Sequence, residues 1–338
     1  MLIEVSELSQ AGHARRKVTA FAEELQMADS RRGEVALVTT ELATNLVKHA
    51  KKGHILAQPL GPSGATGLRV MGIDKGPGIA DISRALADGH STAGSMGTGL
   101  GAIRRISDRF EIYSVPGLGT VVAAEFWQSK AARAPHNPPL EIAVISEPIS
   151  GEQECGDGWS LRTTVDTVLL MVVDGLGHGI LAAEAAREAE KIFAGTREMS
   201  PAAILNDTHA ALRKTRGAAE AIAKIELESQ RLSFAGIGNI SASILSPGSS
   251  RSMASHNGTL GMSMERLQEF ISPWNQDSVL VMHSDGLATR WDLERYPGLW
   301  TKAPSLIAAV LHRDFCRQRD DVTVLVARTG RIEFDSKC

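Results

Sequence analysis

The chain is poor in the features that most quickly disclose a function. Its 338 residues hold three cysteines, Cys155, Cys316 and Cys338, far apart and in no C-x-x-C pair. A scattered, odd set excludes a disulfide framework and a thiolate zinc site, and fits a reducing cytoplasm. Neither charge is in excess: 36 Lys+Arg stand against 39 Asp+Glu, a net charge of −3. Binders of nucleic acid or anionic membranes normally carry a basic surplus, so neither partner is expected. Long hydrophobic runs are missing as well. The run Val168 to Val173 reaches six residues, against the ~20 needed to span a bilayer. The opening MLIEVSELSQ has neither the basic patch nor the apolar stretch of a secretion signal. A cytoplasmic location is expected.

What is present is ordinary for a folded protein, with 43% hydrophobic and 22% charged residues. At roughly 150 residues per domain, the length suggests two domains. One composition break agrees. Residues 128–139, QSKAARAPHNPP, hold no aliphatic side chain larger than alanine and three prolines, and read as a linker. It parts a first domain, 1–127, from a second, 140–338.

The first domain reads as helix, helix, strand, loop, helix, strand. Val35, Val38, Leu42 and Leu46 recur at helical spacing, predicting an amphipathic helix over 33–50. A strand at Leu68–Ile73 runs into the turn Asp74-Lys75-Gly76-Pro77-Gly78. Ala102, Ile103, Ile106 and Phe110 mark a further helix, and a strand follows at 120–126. In the second domain, strands are predicted at 167–173, 221–227, 231–237, 241–245, 279–283 and 322–327. Alanine-rich helices are predicted at 181–194, 201–214 and 303–315. Strands joined by short turns point to antiparallel sheets and an α+β fold.

Glu41 and Asn45 lie four apart on the 33–50 helix and project from one face, with His49 continuing the stripe. A carboxylate stacked on a carboxamide suits a base beside an oxygen ligand for Mg²⁺. Asp74-x-Gly76-x-Gly78 follows a strand and offers an acceptor with two glycines that admit close approach to backbone. Gly97-Thr98-Gly99-Leu100-Gly101 opens a helix, where free N–H groups and the helix dipole favour phosphate. The polar DGHSTAGSM before it cannot be the required strand, which argues against a dinucleotide-binding fold.

Taken in order, E-L-A-T-N, D-K-G-P-G and G-T-G-L-G resemble the three ATP-binding boxes of the GHKL superfamily. Within it, ELATNLVKHA, the stretch from IDKGPG to SDRF, and SVPGLGT are similar to the RsbT-type serine kinases of bacterial stress signalling. The resemblance implies a Bergerat-type α/β sandwich that binds ATP and Mg²⁺. It implies that Asn45 holds Mg²⁺, that Asp74 accepts from the adenine amino group, and that Glu41 is the candidate base. Gly76 and Gly78 would border the base, Gly97, Gly99 and Gly101 the phosphates, and Thr120 would help hold adenine. His13 lacks the acidic neighbour and helical hairpin of a phosphoacceptor and reads as a surface residue.

In the second domain, carboxylates fall at strand ends: Asp157 in CGDGW, Asp174 in LLMVVDGLGHG, Asp285 in VLVMHSDGL, and Asp320-Asp321 before VTVLVA. Gathered, such groups repel one another unless divalent cations neutralise them. With TRGAAEAIAKIEL and FAGIGNISASIL in the same order, the pattern resembles the compact RsbX and SpoIIE branch of the PPM metal-dependent phosphatases. The resemblance implies an antiparallel β-sandwich flanked by helices, and two Mn²⁺ or Mg²⁺ ions. Asp174 would bridge both ions and Gly175 would give its carbonyl; Asp285 and Asp320 would bind one ion and Asp157 meet the other. No arginine precedes Asp157 to grip phosphate, and the roles of His178, Arg216 and Asp321 stay open.

The two resemblances together imply a bifunctional regulator of a partner-switching pathway. It would be an ATP-dependent serine/threonine kinase joined to a phosphoserine/phosphothreonine phosphatase. The implied substrate is a STAS-domain protein of RsbS or RsbR kind, and a sigma-factor regulator is the implied output. The alternative is an ATP-sensing, anti-sigma-like module that captures a partner and controls the attached phosphatase without kinase turnover.

Overall fold

The computed structural model describes residues 1–61, 67–87, 99–128, 140–264 and 267–330. These form two compact units. The first combines residues 1–128 with Asp292–Arg313; the second combines residues 140–291 with 314–330.

The first unit is built on a five-stranded antiparallel sheet. Its strands are β1 (Leu2–Val5), β2 (Gly53–Leu60), β3 (Gly67–Asp74), β4 (Arg109–Ser114) and β5 (Thr120–Trp127), in the order β1-β2-β3-β5-β4. Helices α1 (Leu8–Glu24), α2 (Asp29–Asn45) and α4 (Gly99–Ile106) follow the 3.6-residue period, and the short α3 (Ile82–Leu86) precedes α4. Val18, Val35, Val38, Leu42 and Ile103 meet Ile55, Val70, Val122 and Phe126 in one core. The opposite sheet face is closed too: Leu56, Met71, Ile73, Val121 and Ala123 are buried. Cross-strand rows on that face end in charged or polar groups, Glu111 beside Ala123 and His54 beside Ile73. Asp292–Arg313 reaches both rows. The Ala303 N–H donates to Glu111 Oε2 at 3.3 Å, and His312 lies within electrostatic range of His54.

Two expectations need correction here. The predicted 33–50 helix is α-helical only to Asn45 and continues as a π-turn, Leu46–Ala50, which carries His49. Phe110 is not helical. The helix stops at Ile106 and Phe110 lies on β4, paired with Ala124.

The second unit stacks two five-stranded antiparallel sheets. One has the order β15 (Phe270–Pro273), β10 (Arg231–Ile237), β9 (Ala218–Glu226), β8 (Thr167–Gly175), β7 (Asp157–Thr163). The other runs β12 (Ser249–Met253), β11 (Ser241–Ser246), β16 (Val279–His283), β17 (Val322–Thr329), β6 (Leu140–Glu147). A small hairpin, β13 (Gly258–Thr259) and β14 (Ser263–Met264), stands apart. β8 explains the six-residue apolar run. Val168, Leu170 and Val172 enter the core between the sheets, while Leu169, Met171 and Val173 enter a second core with Phe193, Ile204 and Leu205. Those last three come from α5 (Ile180–Gly195) and α6 (Pro201–Ala211). A strand covered on both faces shows no alternation. Helix α7 (Pro304–Phe315), the third one expected, lies in the segment that groups chiefly with the first unit. Among the described residues no helix is long and apolar enough to cross a membrane.

Candidate nucleotide and phosphatase sites

In the first unit, β3 ends at Asp74, and its carboxylate is built into the turn that follows. Asp74 Oδ1 accepts from the Gly76 N–H at 2.7 Å and the Thr120 N–H at 3.2 Å. Burial pushes the Asp74 pKa up; these two hydrogen bonds, with Arg313 and His49 nearby, work against the rise. Arg313 Nη1 also donates to the Asp74 carbonyl at 2.9 Å. Thr120 Oγ1 meets Ser114 Oγ at 2.8 Å, and Ser114 Oγ accepts from the Ile79 N–H at 2.8 Å. The D-K-G-P-G turn is thereby tied to the loop between β4 and β5, as is Pro77, whose carbonyl accepts from the Gly117 N–H at 2.8 Å.

The glycines of this turn serve backbone packing. Gly78 has φ +73°, and a side chain there would begin 2.1 Å from the Val115 carbonyl oxygen. At Gly76 it would begin 2.8 Å from Ala50 Cβ. Glu41 and Asn45 sit half-buried on α2, one turn apart, with no side-chain hydrogen bond or ion pair among the described residues. Gly99 and Gly101 open α4; Gly97 lies outside the described residues.

The second unit brings its acidic residues to one end of the sandwich. Asp157 begins β7 and Asp174 nearly ends β8, and the two are directly paired across the strands. His283 of β16 pairs with Val324 of β17, so Asp285 after one and Asp320-Asp321 before the other share an end. Burial pushes the Asp174 pKa up to about 9, and Asp157, Asp285, Asp320 and Asp321 add to it. Asp157 is raised to about 7, again chiefly by burial, despite a 2.6 Å hydrogen bond from Ser284 Oγ. Asp320 is raised in the same direction. This donor set is all oxygen and all anionic, the chemistry that divalent cations relieve. Among the described residues no three such side chains converge on one point. Asp285 Oδ2 accepts from Asn239 Nδ2 at 2.7 Å, and Asp157 turns to Ser284.

Residues 5–126 match the family described as histidine kinase-like ATPase domain, and residues 164–330 match Stage II sporulation protein E (SpoIIE). The chain belongs to the histidine kinase-like ATPase family and carries a SpoIIE-type domain after it. Over 106 residues, 31% of this chain and 80% of the relative, it is 37% identical to the serine/threonine-protein kinase RsbT of Bacillus subtilis (strain 168). Over 152 residues, 45% of this chain and 76% of the relative, it is 25% identical to the phosphoserine phosphatase RsbX of the same strain. A solved chain from work on "the bacterial stressosome: a modular system that has been adapted to control secondary messenger signaling" is also similar. It superposes with a TM-score of 0.54 at 26% identity, covering 56% of this chain and 100% of that one. The chain is thus an enzyme that joins an RsbT-like ATPase domain to an RsbX-like PPM phosphatase domain.

Within the SpoIIE-type domain, the geometry separates the doublet. Asp321 Oδ1 accepts from the Ile149 N–H at 2.7 Å and Oδ2 from the Gly156 N–H at 2.8 Å. It holds the chain leading to Asp157, whereas Asp320 takes one internal bond, from the Asp321 N–H at 2.9 Å. Gly175 lies where a side chain would begin 2.1 Å from the Ala182 carbonyl, which packs the loop on α5. His178 Nδ1 is 2.9 Å from Glu152 Oε1 on the surface.

Ser284 is the residue that sequence reasoning missed. Fully buried, it donates to Asp157 and accepts from the Thr323 N–H at 2.9 Å, joining the two sheets at the acidic end. A hydroxyl between an apolar strand and Asp-Gly was its signal.

Proposed function

We propose that the chain is a bifunctional regulator that both phosphorylates and dephosphorylates serine or threonine on a STAS-domain partner of RsbS or RsbR kind. Residues 1–127 form the kinase and 140–338 the phosphatase, with Asp292–Arg313 lent to the first unit. The observation that carries the phosphatase half is Asp174, half-buried and paired with Asp157 across the strands, its carboxyl raised first by desolvation and then by four other carboxylates.

Asp174, Asp285 and Asp320, with the Gly175 carbonyl, would hold two Mn²⁺ or Mg²⁺ ions, and Asp157 would meet one of them. Divalent cations, when bound, supply Lewis acidity and activate water for attack on a phosphoester. Ser284 fixes the Asp157 carboxylate through Oδ2, and Asp321 fixes the backbone leading to Asp157 at Ile149 and Gly156.

In the kinase half, ATP would bind with its adenine on Asp74, bordered by Gly76, Gly78 and Thr120. Its phosphates would lie along Gly97, Gly99 and Gly101 at the start of α4. Asn45 would hold Mg²⁺, and Glu41, unengaged and one turn away, would take the proton of the attacking hydroxyl.

The experiment is incubation of the full chain with labelled ATP, Mg²⁺ and a candidate STAS protein, followed by Mn²⁺ and then EDTA. Label that accumulates in an Asp174→Ala chain and is removed by a Glu41→Ala chain supports both activities. ATP binding with no transfer to any candidate would favour the ATP-sensing, anti-sigma-like reading.

A further inference from the structure

We propose that Arg216 is the phosphate-binding residue of the phosphatase site, flanked by Leu176 and Met262, which receive apolar residues beside the phosphoserine. The proposal rests on the phosphatase reading above and names how that site selects its substrate. The sequence left Arg216 without a role, and no arginine stands before Asp157.

Strand register sets its position. Asp174 pairs with Ala219 and Gly175 with Ala218, so Arg216, two residues before β9, stands at the acidic end of the sheet. A backbone bond fastens this loop to the one that follows Asp174: the Leu176 N–H donates to the Gly217 carbonyl at 3.0 Å. Arg216 then crosses the Asp174 loop at Gly177, where φ is +89°. A side chain at Gly177 would begin 3.2 Å from Arg216 Nη1. The loop is bare where the guanidinium lies.

Arg216 is exposed, and among the described residues no hydrogen bond or ion pair engages its guanidinium. Arginines on structural duty in this chain are engaged, as Arg162 is with the carbonyls of Phe193 and Thr196. Arg216 stands beside a cluster of carboxylates and pairs with none. A planar fork of N–H donors in that place matches two oxygens of a phosphoryl group.

The apolar flank has its own architecture. The loop through Met262 packs on Gly217, whose side chain would begin 2.5 Å from the Leu260 carbonyl and 3.6 Å from Met262 Cγ. Three loops thus converge on Gly217, carrying Leu176, Arg216 and Met262. Leu176 is 49% exposed and Met262 60%, large apolar side chains facing solvent on the loops that meet the one carrying Arg216. The partner that fits is a protein segment with phosphoserine between apolar residues. A free sugar or nucleoside phosphate leaves the apolar pair unused.

The test uses the full chain with Mn²⁺, two phosphoserine peptides that differ in flanking residues (leucine or glycine), and inorganic phosphate as a binding probe. Arg216→Ala should raise KM for both peptides about 10-fold or more, with a smaller change in kcat. It should weaken phosphate binding, measured by calorimetry, by a similar factor, and Arg216→Lys should restore part of both. Leu176→Ser with Met262→Ser should raise KM for the leucine-flanked peptide more than for the glycine-flanked one. Unchanged phosphate binding and unchanged KM in Arg216→Ala overturn the assignment. Equal KM for the two peptides in wild type overturns the apolar flank. Were wild type to hydrolyse neither peptide with any divalent cation, the phosphatase reading would fail instead, and calorimetry would still decide on Arg216.

Discussion

Asp157 and Asp174 face each other as a cross-strand pair, a buried and a half-buried carboxylate brought together by the register of β7 and β8. Their shifts to about 7 and about 9 say that the fold resists ionising both. Divalent cations remove that resistance. In EDTA, Asp174→Asn should melt at a higher temperature than wild type, because one member of the repelling set is gone. With Mn²⁺ the order should reverse, since the variant has lost a ligand. Phosphatase activity of Asp174→Asn or Asp285→Ala should fall by about 10³-fold or more. Full activity of wild type in EDTA would sink the metal-dependent reading.

A separate pair tests the kinase half. Glu41 and Asn45 share a face of α2, and among the described residues neither side chain has a partner. Asn45→Ala should abolish Mg²⁺-dependent ATP binding. Glu41→Ala should keep binding within about 3-fold and lose phosphoryl transfer, the split expected of a base or orienting group. Titration of a fluorescent ATP analogue, set beside transfer to a candidate STAS protein, separates the two outcomes.

Glu220, beside the residue that pairs with Asp174, gives a pH prediction. It lies on β9 among the residues that face α5 and α6, fully buried, with neither carboxyl oxygen hydrogen-bonded. Burial raises its pKa to about 8, and the neighbouring Thr208 hydroxyl, which opposes the shift, donates instead to the Ile204 carbonyl at 3.1 Å. For an acid raised on folding, the folded chain keeps a proton that the unfolded chain releases. The cost is absent below the unfolded pKa, near 4.5, grows as pH rises toward 8, and is constant above. Glu220→Gln should therefore unfold at the same temperature as wild type near pH 4 and at a higher one at pH 8. A constant difference across that range would refute the assignment.

Much of this was legible in the residues, for physical reasons that also explain the gaps. β8 and β5 are covered on both faces, so they read as apolar runs, and the Asp-Gly turns and glycine boxes stand at their ends. β2 was invisible because Gly53, His54 and Pro59 dilute its pattern, and β7 because Trp159 and Leu161, its large apolar residues, point to solvent. The π-turn after Asn45 leaves no mark in an apolar spacing. Ser284 and the docking of Asp292–Arg313 depend on pairings across more than a hundred residues. No local window contains them.

That docking leads to the last prediction. Arg313 comes from α7, far along the chain, yet its Nη1 donates to the Asp74 carbonyl at 2.9 Å. Gly119 is kept bare there, since a side chain would begin 2.9 Å from Arg313 Nη1 and 2.1 Å from the Asp74 oxygen. The guanidinium therefore fixes the end of β3 and lowers the Asp74 pKa against the rise caused by burial. If Asp74 receives the adenine amino group as a carboxylate, its ionised form binds best. Removing Arg313 raises the Asp74 pKa further, so ATP affinity should start to fall at a higher pH as the solution is acidified. Arg313→Ala should weaken ATP binding about 3- to 10-fold at pH 7 and more at pH 5. Arg313→Lys, which keeps the charge without the fork, should restore the pH midpoint before it restores the affinity. ATP dissociation constants measured from pH 5 to 8 check this, and superimposable wild-type and Arg313→Ala profiles would show that α7 only covers the sheet.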